Sequence, residues 1–362
     1  MERKGNNEAR MTNDELRIND KTRNTKMCPP TFSAFVIRIS FVIRDSAFVI
    51  LVMETLRSID ELSHLPSPIF LAIGVFDGAH RGHQAVISTS AEHARRANGT
   101  PVVVTFDPHP MKVLRPNDAP HLLTATQHKI KLIRDLGVRH LLVIKFDKAF
   151  AATAPEDFVQ QLVTHSKPLR EICVGHEWSF GKGRRGNLAL LRKLGAQFDF
   201  EVVGIPPVTL GNGELVSSTA IRHAVEAGDL AKAAEMLGRE YTILGTVVRG
   251  DDLGKKIGFP TANLSAHSEQ FPPNGVYFAE AMLEGSVYPG VVNLGYRPTV
   301  SSGKSERVLE IHLFDFDRDI YGQDVEVRFI RYLRPEQKFE NVDALVRQIE
   351  LDVHQARKLC AD

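Results

Sequence analysis

Four short stretches of this chain combine residue types that could act on a phosphate chain. The first, GVFDGAHRGHQ at 74–84, follows an apolar run and opens a helical pattern. Gly74 and Gly82 let backbone approach a polyphosphate, and a new helix offers unpaired amides and its positive dipole end. In the same stretch Phe76 lies two residues after Gly74, and His80 and His83 stand where they could donate hydrogen bonds to phosphates as a phosphoanhydride breaks. Two histidines at this spacing also suit zinc, but no set of carboxylates or cysteines completes such a site. A purely structural turn would explain the glycines and not both histidines.

The second stretch, FDPHP at 106–110, is a stiff proline loop that would bring Asp107 and His109 to the same edge of a sheet. Taken alone, an Asp and a His in a loop are ordinarily solvated. The third, VGHEWSFGKGRRGN at 174–187, is a glycine loop carrying Lys182, Arg184 and Arg185, cations that could hold phosphate or simply be solvated. Its Trp178 and Phe180 either stack on a planar ring or pack. The fourth, VSSTAIR at 216–222, offers Ser217, Ser218 and Thr219 as N-cap hydroxyls at a helix start, with Arg222 one turn inside.

A separate constellation lies in the second half. GTVVRGDDLGKKIGFPTANL at 245–264 is not a Walker loop, because no Gly-Lys-Ser/Thr follows at the required spacing. Gly250, Gly254 and Gly258 permit a loop of backbone amides over phosphate, and Thr261 and Asn263 offer neutral oxygens suited to magnesium. Further on, in the strand-like run 308–314, Glu310, His312 and Phe314 share one face and Leu309, Ile311 and Leu313 the other. Pattern alone leaves Glu310 as either a base or a polar strand residue facing water.

The elements that must carry these residues fall into two rhythms. Apolar runs at 69–75, 102–106, 140–146, 171–174 and 200–203 read as buried strands. Helical patterns lie between them, including Ile87, Ala91, Ala94 and Ile130, Ile133, Leu136, and this βαβ order predicts a parallel sheet. Ligands then bind at the carboxyl ends of the strands. After Leu237 five strand-like runs, at 241–249, 276–283, 287–294, 308–314 and 325–332, follow without intervening helices and predict a small antiparallel barrel. An apolar stripe of Val342, Leu345, Val346, Ile349, Val353 and Ala356 predicts a closing helix. The domain boundary is expected near Gly238, with a short linker.

Composition bounds the partners. The 362 residues carry 45 Lys and Arg against 44 Asp and Glu, a net +1, so no global field draws nucleic acid or an anionic membrane. The 43% apolar and 25% charged content is that of a globular chain. Cys28, Cys173 and Cys360 are too scattered for a disulfide framework or a thiolate cage, which fits a reducing cytoplasm. Residues 1–52 differ: a polar run to 27, then near-copies of SAFVIR broken by Arg38, Arg44 and Asp45, which is neither a membrane span nor a secretory signal. Met53 is the expected working start, the alternative being a disordered tail.

On the His-x-Gly-His, SSTxIR, PTAN, GVVNLGYRPTV (290–300) and LEIHLFDFDRDIYG (309–322) stretches, residues 53–361 resemble the bifunctional bacterial riboflavin kinase and FMN adenylyltransferase family, the FAD synthetases. The resemblance implies a Rossmann-like α/β nucleotidylyltransferase domain with a parallel sheet over 53–238. It implies a riboflavin kinase β-barrel with a C-terminal helix over 239–362. It further implies that riboflavin and ATP give FMN in the barrel, and that FMN and ATP give FAD and pyrophosphate in the first domain. By the same resemblance magnesium is expected at both sites and the partners are expected to be riboflavin, FMN, FAD and ATP, with no nucleic acid or membrane and an open oligomeric state.

Residue by residue, the same resemblance puts His80 and His83 in catalysis and Gly74, Phe76, Gly82, Ser218, Thr219 and Arg222 around ATP. Asp107, His109, Trp178 and Phe180 would border flavin. In the barrel it implies Gly250, Gly254 and Gly258 over ATP, Thr261 and Asn263 on magnesium, Glu310 as base toward the ribityl hydroxyl, and Asn293 and Arg297 beside the flavin. Where many relatives carry Asp then Phe, this chain has Glu177 and Trp178. An accessory, non-catalytic barrel and a flavin-sensing regulator without turnover are the rival readings.

Overall fold

In the computed structural model the described residues are 53–250, 253–267, 270–298 and 305–360. The expectations for residues 1–52 and for the Arg297 side chain lie outside them.

The first half alternates as the apolar runs require. Its strands are β1 (Glu54–Leu56), β2 (Ile69–Ile73), β3 (Thr100–Asp107), β4 (His140–Lys145), β5 (Leu169–Gly175) and β6 (Glu201–Ile205). Its helices are α1 (Arg81–Arg96), α2 (Pro110–Leu114), α3 (Thr126–Asp135), α4 (Lys148–Ala151), α5 (Pro155–His165), α6 (Leu188–Phe198), α7 (Ser218–Glu226) and α8 (Leu230–Leu237). The strands form one sheet in the order β1-β4-β3-β2-β5-β6, and every pairing is parallel. All five residues of β2 are buried, as a central strand covered on both faces must be. Chain order reverses at β2, between β3 and β5, so a crevice opens beyond its carboxyl end. The GVFDGAHRGHQ stretch leaves β2 there.

Gly238 caps α8 in the left-handed conformation (φ 74°), which a glycine adopts without steric cost, and β7 begins four residues later at Thr242. The second half comprises β7 (Thr242–Val248), α9 (Leu253–Lys256), β8 (Ala262–Ala266), β9 (Gly275–Leu283), β10 (Ser286–Pro298), β11 (Ser305–Leu313), β12 (Asp324–Arg334) and α10 (Val342–Leu359). The strands close into a barrel in the order β10-β11-β8-β7-β12-β9, antiparallel throughout.

The barrel therefore has six strands where five were expected. The addition is β8, ANLSA, whose polar Asn263 and Ser265 alternate with Leu264 and hide a short strand inside what reads as a loop. A three-residue edge strand, β1, is likewise too short to show periodicity. Of the closing-helix stripe, Val353 and Ala356 pack with Phe278 and Phe314 on the outside of the barrel, whereas Val342 is 52% exposed. Leu136 caps α3 and is exposed rather than buried.

The halves share a core. Leu123, Ile221, Val225 and Leu237 of the first join Tyr241, Ile243, Leu264, Leu309 and Val327 of the second in one buried cluster. At their boundary His128 of α3 lies 3.2 Å from both the Glu326 carboxylate of β12 and the Thr242 hydroxyl of β7. Lys131 completes the ion pair with Glu326 at 2.8 Å.

Candidate active sites

The first site is built where β2 turns into α1. Phe76 (φ 54°) folds back so far that a Cβ on Gly74 would stand 2.6 Å from its ring, so this turn requires glycine. The buried Phe76 ring meets His83 edge-on at 5.3 Å, and His83 stacks on His80 at 3.5 Å. His80 is the N-cap of α1, its Nδ1 accepting the His83 amide at 3.4 Å. That acceptor role puts the proton of a neutral His80 on Nε2. Gly82 packs beneath the His80 ring, 3.2 Å from where its Cβ would stand.

Burial is the first cause of both histidines' low basicity. It pushes His80 down to about 4, against the pull of Asp77 and with help from Arg239 and Arg222. His83 lies well below its ordinary value through burial and the neighbouring His80 and Lys129. Both imidazoles are neutral at pH 7 beside the amino end of a helix.

Asp77 organises the cluster, a role the sequence does not reveal. It is 3% exposed and accepts hydrogen bonds from the amides of Leu123 (3.3 Å) and Thr124 (3.0 Å). Its carboxylate also pairs closely with the Arg222 guanidinium, while Arg222 Nε donates to the His121 carbonyl at 2.8 Å. Ser217, not Ser218, caps α7; Ser218 instead donates its hydroxyl to the Asp77 carbonyl at 3.0 Å. Thr219 is exposed on the same first turn. The first and fourth stretches thus meet.

FDPHP joins them through Lys129. The Lys129 ammonium is buried and donates to the carbonyls of Val75 (3.2 Å) and Phe106 (3.0 Å), tying the ends of the first two stretches together. Burial lowers it to about 8, opposed by Asp77 and Asp107. His109, the cap of α2, is lowered to about 4 by burial, with Lys129, Arg222 and Lys112 adding to it and Asp77 opposing. Asp107 accepts from the Thr126 hydroxyl. Only spacing could have flagged Lys129: with His128 it shares the buried face of Leu132 and Ile133, where a lysine needs a reason.

Trp178 and Phe180 stack on each other at 4.5 Å, and Phe180 continues through Phe158 and Phe150 to Phe106. The loop's cations are engaged locally: Arg184 with the Ser179 hydroxyl at 2.8 Å and Arg185 with Glu156 at 3.5 Å. Lys182 and Arg185 line an open cleft of about 820 Å³ with Asp157 and Gln160.

The second site lies on the outer face of the barrel. Glu310 of β11 is the register partner of Asn263 on β8 and of Asn293 on β10, so the three stand in one row across adjacent strands. Leu309 and Ile311 point the other way into the core at 1% exposure each, as alternation expects. Glu310 is half-buried, Thr261 is exposed, and Asn263 is 8% exposed with its Oδ1 lacking a hydrogen-bond partner among the described residues. A Cβ on Gly250 would fall 2.2 Å from Asn263 Nδ2, and one on Gly254 would come 3.1 Å from Thr261 Oγ1. These glycines are thereby laid on the Thr261–Asn263 segment, although Gly254 lies in the short helix α9 rather than in the open loop expected. Gly258 (φ 88°) turns the chain into it, and His312 is held to the Pro260 carbonyl at 2.8 Å. Arg297 belongs to β10 by its backbone.

A parallel sheet with a phosphate-type turn at its switch point, followed by a six-stranded barrel with a polar row under a glycine loop, defines a two-site nucleotide-dependent transferase. The FAD synthetase family profile matches residues 63–220 and the riboflavin kinase profile residues 237–360. A bifunctional riboflavin kinase/FMN adenylyltransferase of Escherichia coli K12 is 37% identical over 84% of this chain and 97% of its own length. The protein of that description from Listeria monocytogenes is 34% identical over 80% of this chain and 92% of its own. A Streptococcus pneumoniae crystal structure described as a macrolide-efflux protein superposes with a TM-score of 0.70 at 29% identity, covering 84% of this chain and 99% of that one. Among the described residues no helix is long and apolar enough to cross a membrane. The chain belongs to the bifunctional riboflavin kinase/FMN adenylyltransferase family and carries both transferase activities, with ATP as substrate of each.

Proposed function

We propose that the two reactions divide between the sites at residues 53–238 and 239–362. In the first domain an FMN phosphate oxygen attacks the α-phosphorus of ATP, the bond to the bridging oxygen breaks, and pyrophosphate leaves. His80, through Nε2–H, and His83 donate to the phosphates as charge moves onto the leaving group, with the α1 amides beside them. Gly74, Phe76 and Gly82 shape the turn around ATP, and Ser218, Thr219 and Arg222 meet it from α7. Asp107, His109, Trp178 and Phe180 border the flavin, whose planar ring suits the aromatic row.

In the barrel Glu310 accepts the proton of the ribityl hydroxyl as that oxygen takes the γ-phosphoryl group, and ADP leaves. Gly250, Gly254 and Gly258 lay backbone amides over the phosphates, and Asn293 and Arg297 border the flavin. Asn263, whose buried Oδ1 lacks a hydrogen-bond partner among the described residues, fits a hard cation, and Thr261 offers a second neutral oxygen. These two residues would hold magnesium, which supplies neutralisation of phosphate charge when bound. The free thiols Cys173 and Cys360 support a cytoplasmic setting.

The observation that carries the kinase reading is the Asn293–Glu310–Asn263 row, a carboxylate set between two amides beneath a glycine loop. A flavin-sensing regulator or a purely accessory barrel would not need that set, and both activities are those of the family. Incubating the purified chain with riboflavin, ATP and magnesium and separating the flavins by chromatography tests the assignment. FMN followed by FAD is the expected order. Formation of neither would overturn it.

A further inference from the structure

The segment that fixes Asp77 is itself held from the barrel. Residues 270–273 lead from β8, which carries Asn263, toward β9, and three barrel side chains grip them. Tyr241 donates its hydroxyl to the Gln270 carbonyl, Tyr277 donates to the Pro273 carbonyl at 2.5 Å, and Arg307 donates to the Pro272 carbonyl at 2.5 Å with its guanidinium over the Phe271 ring at 5.0 Å. Burial lowers the pKa of Arg307, against the opposing pull of Tyr296 and Tyr277.

The other side of this loop meets the first domain. The Gln270 amide donates to the Leu122 carbonyl at 2.6 Å, and Pro273 packs against Gly228, 3.2 Å from where a Cβ would stand. Leu122 is bracketed by the groups that set the Asp77–Arg222 pair. The His121 carbonyl takes Arg222 Nε, and the Leu123 and Thr124 amides hold the Asp77 carboxylate. The Thr124 hydroxyl also accepts the Gly78 amide at 3.0 Å, inside the phosphate-type turn. Hydrogen bonds at both ends of the 121–124 backbone therefore join a barrel loop to the guanidinium and the turn of the other site.

We propose that the barrel loop 270–273 is a positioning element of the adenylylation site, acting through Leu122–Thr124 on Asp77 and through Asp77 on Arg222. The kinase domain is then a structural part of the other enzyme: without the Gln270 amide, the 121–124 segment loses its outer support and Arg222 its fixed direction. The inference rests on assigning adenylyl transfer to this cluster, which loss of that step in His83→Ala tests separately.

Gln270→Pro removes the amide donor, whereas Gln270→Ala keeps it. In Gln270→Pro the KM for ATP in FMN adenylylation should rise roughly three- to tenfold, the worth of one hydrogen bond, while riboflavin phosphorylation by the same preparation stays at its wild-type rate. Gln270→Ala should match wild type in both. Tyr241→Phe, which removes only the hydroxyl that holds Gln270, should shift the same KM and spare phosphorylation. The proposal is overturned if Gln270→Pro adenylylates as wild type does. Should Gln270→Pro lose both activities by misfolding, it is overturned if Tyr241→Phe leaves adenylylation unchanged.

Discussion

Glu310 and Asn263 face each other directly across β11 and β8, a carboxylate and an amide on the outer side of a barrel whose inner side is apolar. In that pairing Glu310 is the group able to take a proton, and Asn263 the one able to orient an oxygen-seeking cation.

Replacing Glu310 with Gln keeps the shape and the capacity to hydrogen-bond but removes the base. Riboflavin phosphorylation should fall by roughly a hundred- to ten-thousandfold, the usual range for a lost general base. Supplied FMN should still become FAD at the wild-type rate. Steady-state assays of the two half-reactions on one preparation check both statements, and near-normal FMN production would return Glu310 to a merely polar strand position.

Gly250 is not in a left-handed conformation, so Ala suits its backbone; what forbids it is the 2.2 Å approach to Asn263 Nδ2. Gly250→Ala should push the loop and Asn263 apart. A displacement of about an ångström at a positioned group costs on the order of a hundredfold, so phosphorylation should fall by about that factor. A magnesium titration of the rate should show a higher requirement, while adenylylation of supplied FMN stays unchanged.

His83 tests the first site. His83→Ala should cost about 3 kcal/mol of transition-state stabilisation, or about a hundredfold in FAD formation, and leave riboflavin phosphorylation intact so that FMN accumulates. An unchanged FAD rate would remove His83 from the mechanism.

The boundary cluster makes a prediction about stability. Burial alone would raise the Glu326 carboxyl, but the hydrogen bond from His128 and the charges of His128 and Lys131 outweigh it and hold the group well below its ordinary value of 4.5. A carboxyl depressed on folding binds fewer protons in the native state. Its stabilisation is complete above about pH 4.5 and is lost as pH falls toward the depressed value. Glu326→Gln should therefore lower the melting temperature at pH 7. Thermal unfolding of both proteins at a series of pH values should show the gap narrowing below about pH 4.5; a gap independent of pH would contradict the assignment.

Local chemistry made most of this molecule legible in its sequence, and long-range pairing hid the rest. The run at β2 shows as a strand because a central parallel strand is apolar at every position, and the glycine-rich turn after it announces itself by residue type. Glu310 and its neighbours alternate cleanly, so their two faces were readable. β8 was not, because the polar Asn263 and Ser265 break its apolar pattern. Asp77 sat in plain view inside GVFDGAHRGHQ, yet its meaning comes from Thr124 and Arg222, 47 and 145 residues away. The His128–Glu326 contact spans 198 residues and leaves no local trace. Lys129 differed in kind: its place on a buried helical face was visible, but not the two carbonyls it ties together.

The division of labour between the two sites is tested most directly by mixing the Glu310→Gln and His83→Ala proteins. Alone, the first should make little FMN from riboflavin and the second should stop at FMN. Mixed, with riboflavin, ATP and magnesium, they should yield FAD, because FMN released by one barrel is adenylylated by the other protein's first domain. A mixture that forms no more FAD from riboflavin than either variant alone, while each still performs its remaining step, would contradict the assignment of one reaction to each site.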